Sequence, residues 1–152
     1  MFPYWMKRHH LNWHQAIAQF MMSRRALWLL LAVIAGFVLV THQTVPMIDR
    51  DEARFSQASR QMAETGDVIT IKFLDELRAK KPAGIYWLQA GSASLFGTDD
   101  VASYRLPSLF GFLLTLTLVY FLSGSLFPSP AAPLQGLVTA LILASGPILQ
   151  AE

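Results

Sequence analysis

The sequence predicts an all-α, polytopic integral membrane protein with about three transmembrane helices and an extracytoplasmic loop of short amphipathic juxtamembrane helices. Two observations lead to this prediction. Of the 152 residues, 53% are hydrophobic and only 14% are charged, whereas charged residues make up roughly 25% of soluble domains. Two long uncharged stretches also flank one polar segment, as expected for membrane spans joined by a loop.

Charge and cysteine content exclude several classes of function. The net charge is +2, and the basic residues before the first hydrophobic stretch are Lys7, Arg8, Arg24 and Arg25. Such a cluster is typical of a topology signal rather than of a nucleic-acid-binding surface. The chain has no cysteine, which excludes disulfides, CxxC redox motifs, cysteine nucleophiles and thiolate metal sites.

The first predicted transmembrane helix covers residues 26–45. Its segment Ala26–Val40 contains ten Leu, Ile, Val or Phe residues, which together contribute ~5 kcal/mol toward insertion at ~0.5 kcal/mol each. A cleaved signal peptide is the alternative interpretation. We favour an uncleaved span, because no small-residue cleavage site follows and the leading segment is long.

A second uncharged region extends from Arg105 to Glu152 and is too long for a single helix. A proline cluster at 128–133 ends the first helix there and favours a turn. We therefore predict spans at 105–127 and 134–150, with 151–152 starting a further outer loop. Small residues such as Gly136 and Ala140 suggest close helix contacts in this hairpin.

The basic cluster predicts that segment 1–25 is cytoplasmic and that the loop 46–104 lies outside. The loop has basic residues of its own, but long or structured loops cross the membrane regardless of charge. Segment 1–25 contains Trp5 and Trp13 and suits a helix at the headgroup boundary. His9, His10 and His14 have no acidic or thiol ligands beside them, so we predict no metal site there.

The loop begins with the pattern of an amphipathic helix. Its apolar stripe is Phe55, Ala58, Ser59, Met62 and Ala63, which we expect to rest on the membrane surface. Asp49 as N-cap and Glu52 three residues later predict a capping box, with Gly66 as the C-cap. Asp51 is not needed for that cap and is a candidate general base, although a favourable helix-dipole position also explains an acid there.

A second helix is predicted over Ala83–Phe96, because Pro82 can start it. Residues 68–73 alternate like a short extended piece before it. Lys81, at the start of this helix, is well placed to meet a phosphate, and a solvated lysine beside the headgroups is the alternative. Tyr86 and Trp87 are expected at the membrane interface.

Separated motifs in this loop occur in a recognisable order. They are Asp51-Glu52-Ala53-Arg54-Phe55, Gly66-Asp67, Lys81-Pro82, Tyr86-Trp87-Leu88, Leu95-Phe96-Gly97 and Arg105-Leu106-Pro107. Together they resemble the first extracytoplasmic loop of the aminoarabinose (lipid A) transferase and protein O-mannosyltransferase group of type C glycosyltransferases. The resemblance covers about 48–127, roughly half of the chain.

The resemblance implies a multi-pass enzyme of the bacterial inner membrane that moves a sugar from a polyprenyl-phosphate donor to an extracytoplasmic acceptor, either a lipid A-like glycolipid or a protein. Its partners would be this donor, membrane lipids and the acceptor, without nucleic acid. The resemblance also implies that Asp51 is catalytic and that Lys81 contacts the donor phosphate. Glu52, Arg54 and Arg105 are candidate supporting residues, and Arg105 is weighed as an interfacial anchor against a donor contact.

General chemistry agrees with these two roles. A base must take the acceptor proton, and a cation can stabilise the departing lipid phosphate. The sequence specifies no cofactor beyond the lipid-linked donor, and a divalent cation near the phosphate would be chemically reasonable. Because Asp51 and Glu52 alone do not form a ligand set, we predict no metal site.

The chain also departs from this family. Lys80 occupies the position of an acidic residue before the Lys-Pro motif, and Ala83 that of a second proline. The family uses further spans and a second outer loop, so we expect an amino-terminal part that is inactive alone. One alternative is a non-catalytic membrane module that binds polyprenyl phosphate or a partner protein. Another is a transporter or scaffold subunit whose charged residues only anchor helices.

Overall fold

The computed structural model describes residues 13–78 and 81–146. Within these ranges it has six α-helices and one β-hairpin. The elements are α1 (Trp13–Met21), α2 (Arg24–Thr44), α3 (Arg50–Thr65), β1 (Lys72–Phe73), β2 (Glu76–Leu77), α4 (Ala83–Phe96), α5 (Val101–Leu126) and α6 (Ala132–Ala144). The predicted helical membrane fold is confirmed, and the two-residue strands are a small β addition to it.

Two helices, α2 and α5, are long and apolar enough to cross a membrane. The 21 residues of α2 correspond to about 31 Å at 1.5 Å per residue, which matches a bilayer core of about 30 Å. Phe37 in α2 is 72% exposed and Phe110 in α5 is 69% exposed. Large apolar side chains that face outward on long helices are expected in lipid.

The shorter apolar helix α6 lies in the third predicted span, 134–150. It covers 13 residues and ends at Ala144, which is followed by the last described residues. The carboxy-terminal part of that predicted span, together with 151–152, lies outside the described residues. The amino-terminal segment is described from Trp13 onward, so residues 1–12 of the predicted interfacial segment also lie outside them.

Helix α5 begins at Val101, four residues before the predicted span. The Asp100 side chain accepts a hydrogen bond from the Ala102 N–H at 3.0 Å and thereby satisfies one of the free donors of the first turn. Pro107 consequently lies inside the helix rather than at its start. Because proline has no N–H, the carbonyl of Ser103 lacks its usual helical donor.

The described residues divide into two compact units, one within 33–114 and one formed by 13–32 together with 115–146. In the second unit, α6 packs closely on the carboxy-terminal half of α5. A Cβ atom added at Gly136 would lie 2.7 Å from the Tyr120 carbonyl oxygen, and Leu116 and Ala140 are fully buried. The small residue at position 136 is therefore required by close helix packing.

The unit formed by 33–114 is built around the pair α3 and α4. Its core contains Ala58, Met62, Tyr86 and Ala90, with Phe55 packed against it. The expectation that the stripe of α3 rests on the membrane surface is therefore wrong. Helix α4 supplies an apolar partner within the protein, and burying each large side chain there contributes about 1.5–3 kcal/mol.

The hairpin returns the chain from α3 to α4. Leu74 at its turn has φ 57°, an uncommon conformation for a residue with a side chain. The Leu74 N–H donates to Gln61 Oε1 at 2.9 Å, and Gln61 Nε2 donates to the Leu74 carbonyl at 3.1 Å. One side chain of α3 thus satisfies both polar backbone groups of this turn residue.

Candidate active site

The first turn of α3 carries the predicted catalytic acid. Asp49 is the N-cap, and its Oδ1 accepts a hydrogen bond from the Asp51 N–H at 3.1 Å. The predicted capping box is wrong in its second half, because the Glu52 carboxylate accepts hydrogen bonds from Arg105 instead. This partner is 53 residues away along the chain and outweighs the local cap because it is a paired charge.

Arg105 is held by two segments of the chain. Its Nε and Nη2 donate to the two Glu52 oxygens at 2.5 and 3.1 Å. Its Nη1 donates to the His42 and Val45 carbonyls at 2.9 and 2.7 Å, and Nη2 approaches the Pro46 carbonyl at 3.4 Å. The Arg105 side chain is only 12% exposed. It therefore joins the end of α2 to the first turn of α3.

Asp51 itself is open to solvent. Its side chain is 62% exposed, and the Arg54 guanidinium lies 3.7 Å away. An ion pair this exposed stabilises a protein by only about 0–1 kcal/mol. Its partner can accordingly be displaced at little cost, and the carboxylate is accessible to a substrate hydroxyl or amine.

Lys81 is also exposed, immediately before α4. It makes no ion pair with any of the described residues. Its neighbour Lys80 lies outside the described ranges. A lysine ammonium that is not engaged by a protein carboxylate remains free to meet an anionic ligand.

The packing of α3 on α4 brings the two predicted site residues to the same end of the helix pair. The Phe55 and Tyr86 rings lie 5.1 Å apart, and Ser59 Oγ donates to Gln89 Oε1 at 2.9 Å. The later residue of α3 thus contacts the later residue of α4. The two helices therefore run in the same direction. Asp51 precedes Phe55 by about one turn, and Lys81 lies just over one turn before Tyr86. The partial positive charges of both helix starts also meet at this end.

Arg78 is a further cation near this end, and the sequence did not single it out. Its Nε donates to the Tyr86 hydroxyl at 2.9 Å, and its guanidinium carbon lies 5.4 Å from the Phe55 ring centre. The expected interfacial position of Tyr86 is wrong, because this side chain is fully buried. A basic residue in a turn gives no sequence signal for such contacts, since they depend on how α3 and α4 pack.

A buried polar network fixes the relative positions of three helices. Gln89 in α4 accepts from Ser59 in α3, and its Nε2 donates to the Tyr104 carbonyl in α5 at 3.2 Å. Ser59 and Gln89 are 0% and 8% exposed. Since a buried amide is costly unless it is hydrogen-bonded, this network favours one packing register over its neighbours.

Two charged groups flank the helix pair away from Asp51. The N–H groups of Thr70 and Ile69 donate to Asp67 and hold the pKa of its carboxyl below its usual value. Hydrogen bonding to Glu64 and the nearby Asp99 carboxylate raise the pKa of Arg60. In the described part of the chain, no three His, Asp or Glu residues gather as metal ligands. His9 and His10 lie outside it.

Comparison with known proteins gives several relatives that share one name. A protein of Pseudomonas aeruginosa named undecaprenyl phosphate-alpha-4-amino-4-deoxy-L-arabinose arabinosyl transferase is 33% identical over 125 residues, which is 82% of this chain and 22% of the relative. Proteins with the same name from Erwinia tasmaniensis and Yersinia pestis are 33% and 35% identical over 60% and 51% of this chain, and 16% and 14% of theirs. No family model and no solved structure matches.

These relatives are much longer than the chain. The chain spans about a fifth of the length of the Pseudomonas aeruginosa protein. Because it is 33% identical to that protein over 82% of its own residues, the chain is a homologue of proteins named as aminoarabinose arabinosyl transferases.

Proposed function

We propose that this chain forms part of a membrane glycosyltransferase that moves a sugar from a polyprenyl-phosphate donor to an acceptor outside the inner membrane. The observation that carries this proposal is its similarity to named arabinosyl transferases over 82% of its residues. By analogy with those names, the donor is an undecaprenyl phosphate-linked aminoarabinose. The acceptor is a lipid A-like glycolipid or a protein.

Asp51 is proposed as the general base. Inverting transfer requires removal of a proton from the acceptor while the acceptor attacks the anomeric carbon. The exposed carboxylate at the start of α3 supports this role, because an approaching acceptor can reach it. Arg54, 3.7 Å away, is its exposed ion-pair partner and can move aside for the acceptor.

Lys81 is proposed to hold the donor phosphate. The phosphate gains charge as the bond to the sugar breaks, and a nearby ammonium stabilises that charge. Arg78 and the two helix starts add positive potential at the same end. Glu52 and Arg105 then serve as supporting residues, and a divalent cation is an optional further partner of the phosphate.

The membrane arrangement that suits this chemistry places the α3 and α4 pair outside. In that arrangement segment 1–25 is cytoplasmic, α2 and α5 cross the bilayer, and 46–104 forms the outer loop. The apolar character of α2 and α5 supports membrane insertion. The basic cluster before α2 supports the orientation.

The test is sugar transfer by the complete gene product that carries this chain, in nanodiscs with a synthetic lipid-linked aminoarabinose. Asp51→Asn should lower kcat by about 10²- to 10⁴-fold, the usual contribution of a general base. The control is Asp75→Asn, which alters an exposed acid of the hairpin and should leave kcat unchanged. Retained turnover in Asp51→Asn would refute the base assignment.

Lys81→Ala should weaken donor binding by about 10- to 150-fold, as expected for loss of a charge-assisted contact worth about 1.5–3 kcal/mol. Lys72→Ala, an exposed lysine on β1, is the matched control. Equal donor affinity in Lys81→Ala and the unaltered protein would contradict the phosphate role. Donor binding without any transfer would instead support a non-catalytic membrane module.

A further inference from the structure

We propose that Arg105 is a positioning residue for Asp51, acting through Glu52, and that it does not contact the donor phosphate. This inference rests on the proposed function and specifies how its site is held. Arg105 and Lys81 are both cations, but they are assigned different roles: Lys81 contacts the donor phosphate and Arg105 does not.

All the hydrogen-bond donors of Arg105 are occupied by protein acceptors. A guanidinium group has five N–H donors. In Arg105 these donors face five protein acceptors, namely the two Glu52 oxygens and the carbonyls of His42, Val45 and Pro46. With the side chain 12% exposed, no donor is left over for a ligand.

The position of Arg105 is explained by its partners. Arg105 lies in the second turn of α5, near a helix start that disfavours cations. Its partners explain the position, because they are the carbonyls at the negative end of α2 and a carboxylate. The two-oxygen contact with Glu52 also needs the planar fork of arginine, which a lysine cannot reproduce.

The contact between Arg105 and Glu52 lies next to Asp51 in the first turn of α3. Asp51 is one residue before Glu52, and its only described ion pair is the exposed contact with Arg54. The position of its carboxylate therefore depends on the backbone of the first turn of α3. Arg105 contacts both sides of the link between α2 and α3, through Val45 and Glu52, and so fixes the direction in which α3 starts.

The kinetic test compares Arg105→Lys and Glu52→Gln in the complete gene product. A catalytic group displaced by about 1 Å loses about 10²-fold in rate, so both variants should lose about 10²-fold in kcat. The KM for the donor should stay within about 2-fold of normal, because neither residue touches the phosphate. The double variant should lose little more than either single variant, since both break one contact.

Two control variants distinguish a positioning role from a donor contact. Lys81→Ala should show the opposite pattern, a raised KM for the donor. Arg60→Lys alters an exposed arginine of α3 and should leave both constants unchanged. If Arg105→Lys raises the donor KM as Lys81→Ala does, Arg105 is a donor contact and the proposal is wrong.

A second measurement requires no transfer activity. Because the chain has no cysteine, Asp51→Cys and Lys81→Cys allow two spin labels to be attached within it, after any cysteine elsewhere in the complete gene product has been replaced by serine. Their dipolar coupling in nanodiscs should broaden when Arg105→Lys or Glu52→Gln is added, and remain sharp with Arg60→Lys. Transfer is measured separately, in the protein that keeps Asp51 and Lys81. An unchanged coupling overturns the positioning role even if that protein transfers sugar, and a broadened coupling supports it even if that protein does not.

Discussion

Tyr86 offers a graded test of the α3 and α4 packing that holds the candidate site. It is fully buried, its ring lies 5.1 Å from that of Phe55, and its hydroxyl accepts a hydrogen bond from Arg78. Tyr86→Phe removes only the hydroxyl, which should cost about 0.5–1.5 kcal/mol. Tyr86→Ala also empties the core position, which should cost about 3–5 kcal/mol.

Amide hydrogen exchange measures the free energy of local opening of the helix pair, and so it can measure both costs. Since 1.4 kcal/mol corresponds to about tenfold, the amides of α3 should exchange about 2- to 13-fold faster in Tyr86→Phe and more than 100-fold faster in Tyr86→Ala. Leu88→Ala is the control, because that side chain is 61% exposed. Equal exchange rates of α3 in Tyr86→Ala and the unaltered protein would refute the packing of α3 on α4.

Two further predictions address other parts of the chain. Gly136→Ala places a methyl group 2.7 Å from the Tyr120 carbonyl oxygen and should cost about 1–3 kcal/mol by overpacking, measured by thermal unfolding in detergent. Gly36→Ala, where a Cβ meets nothing within 4 Å, should not destabilise, and equal losses in the two variants would contradict the close contact. Asp67 has a lowered pKa in the folded state, so its stabilising hydrogen bonds are present above about pH 4 and are lost as the pH falls through the folded pKa. The protection of the Thr70 amide against hydrogen exchange should therefore fall in that acidic range. In Asp67→Asn this protection should no longer depend on the titration of residue 67. An identical pH profile in the variant and the unaltered protein would argue against the contact.

Local chemistry was sufficient to predict several elements. The bounds of α4 agree with the prediction because Pro82 can start a helix and Gly97, with φ 122°, ends it. The start and end of α3 were likewise predicted from Asp49 and Gly66, whose capping geometry is observed. These signals lie within one turn of the residues that they control.

Contacts between distant segments were not predictable in this way. The capping-box prediction for Glu52 failed because its carboxylate pairs with Arg105, and the surface position predicted for the α3 stripe failed because α4 covers it. In the candidate site, Asp51 and Lys81 were candidates from their positions at helix starts, and their roles were assigned through the family resemblance. Their location at one end of the pair depends on the parallel packing of α3 and α4, which no spacing in the sequence specifies.

The parallel packing of α3 and α4 has a consequence for the segment between them. Two helices that run in the same direction need a connection that travels back along the first one, about 24 Å for the 16 residues of α3 at 1.5 Å each. The hairpin takes up the residues of this connection that are not needed to span that distance. Shortening residues 66–82 below that reach would force the second helix to turn around, and the acid and the lysine would then lie at opposite ends.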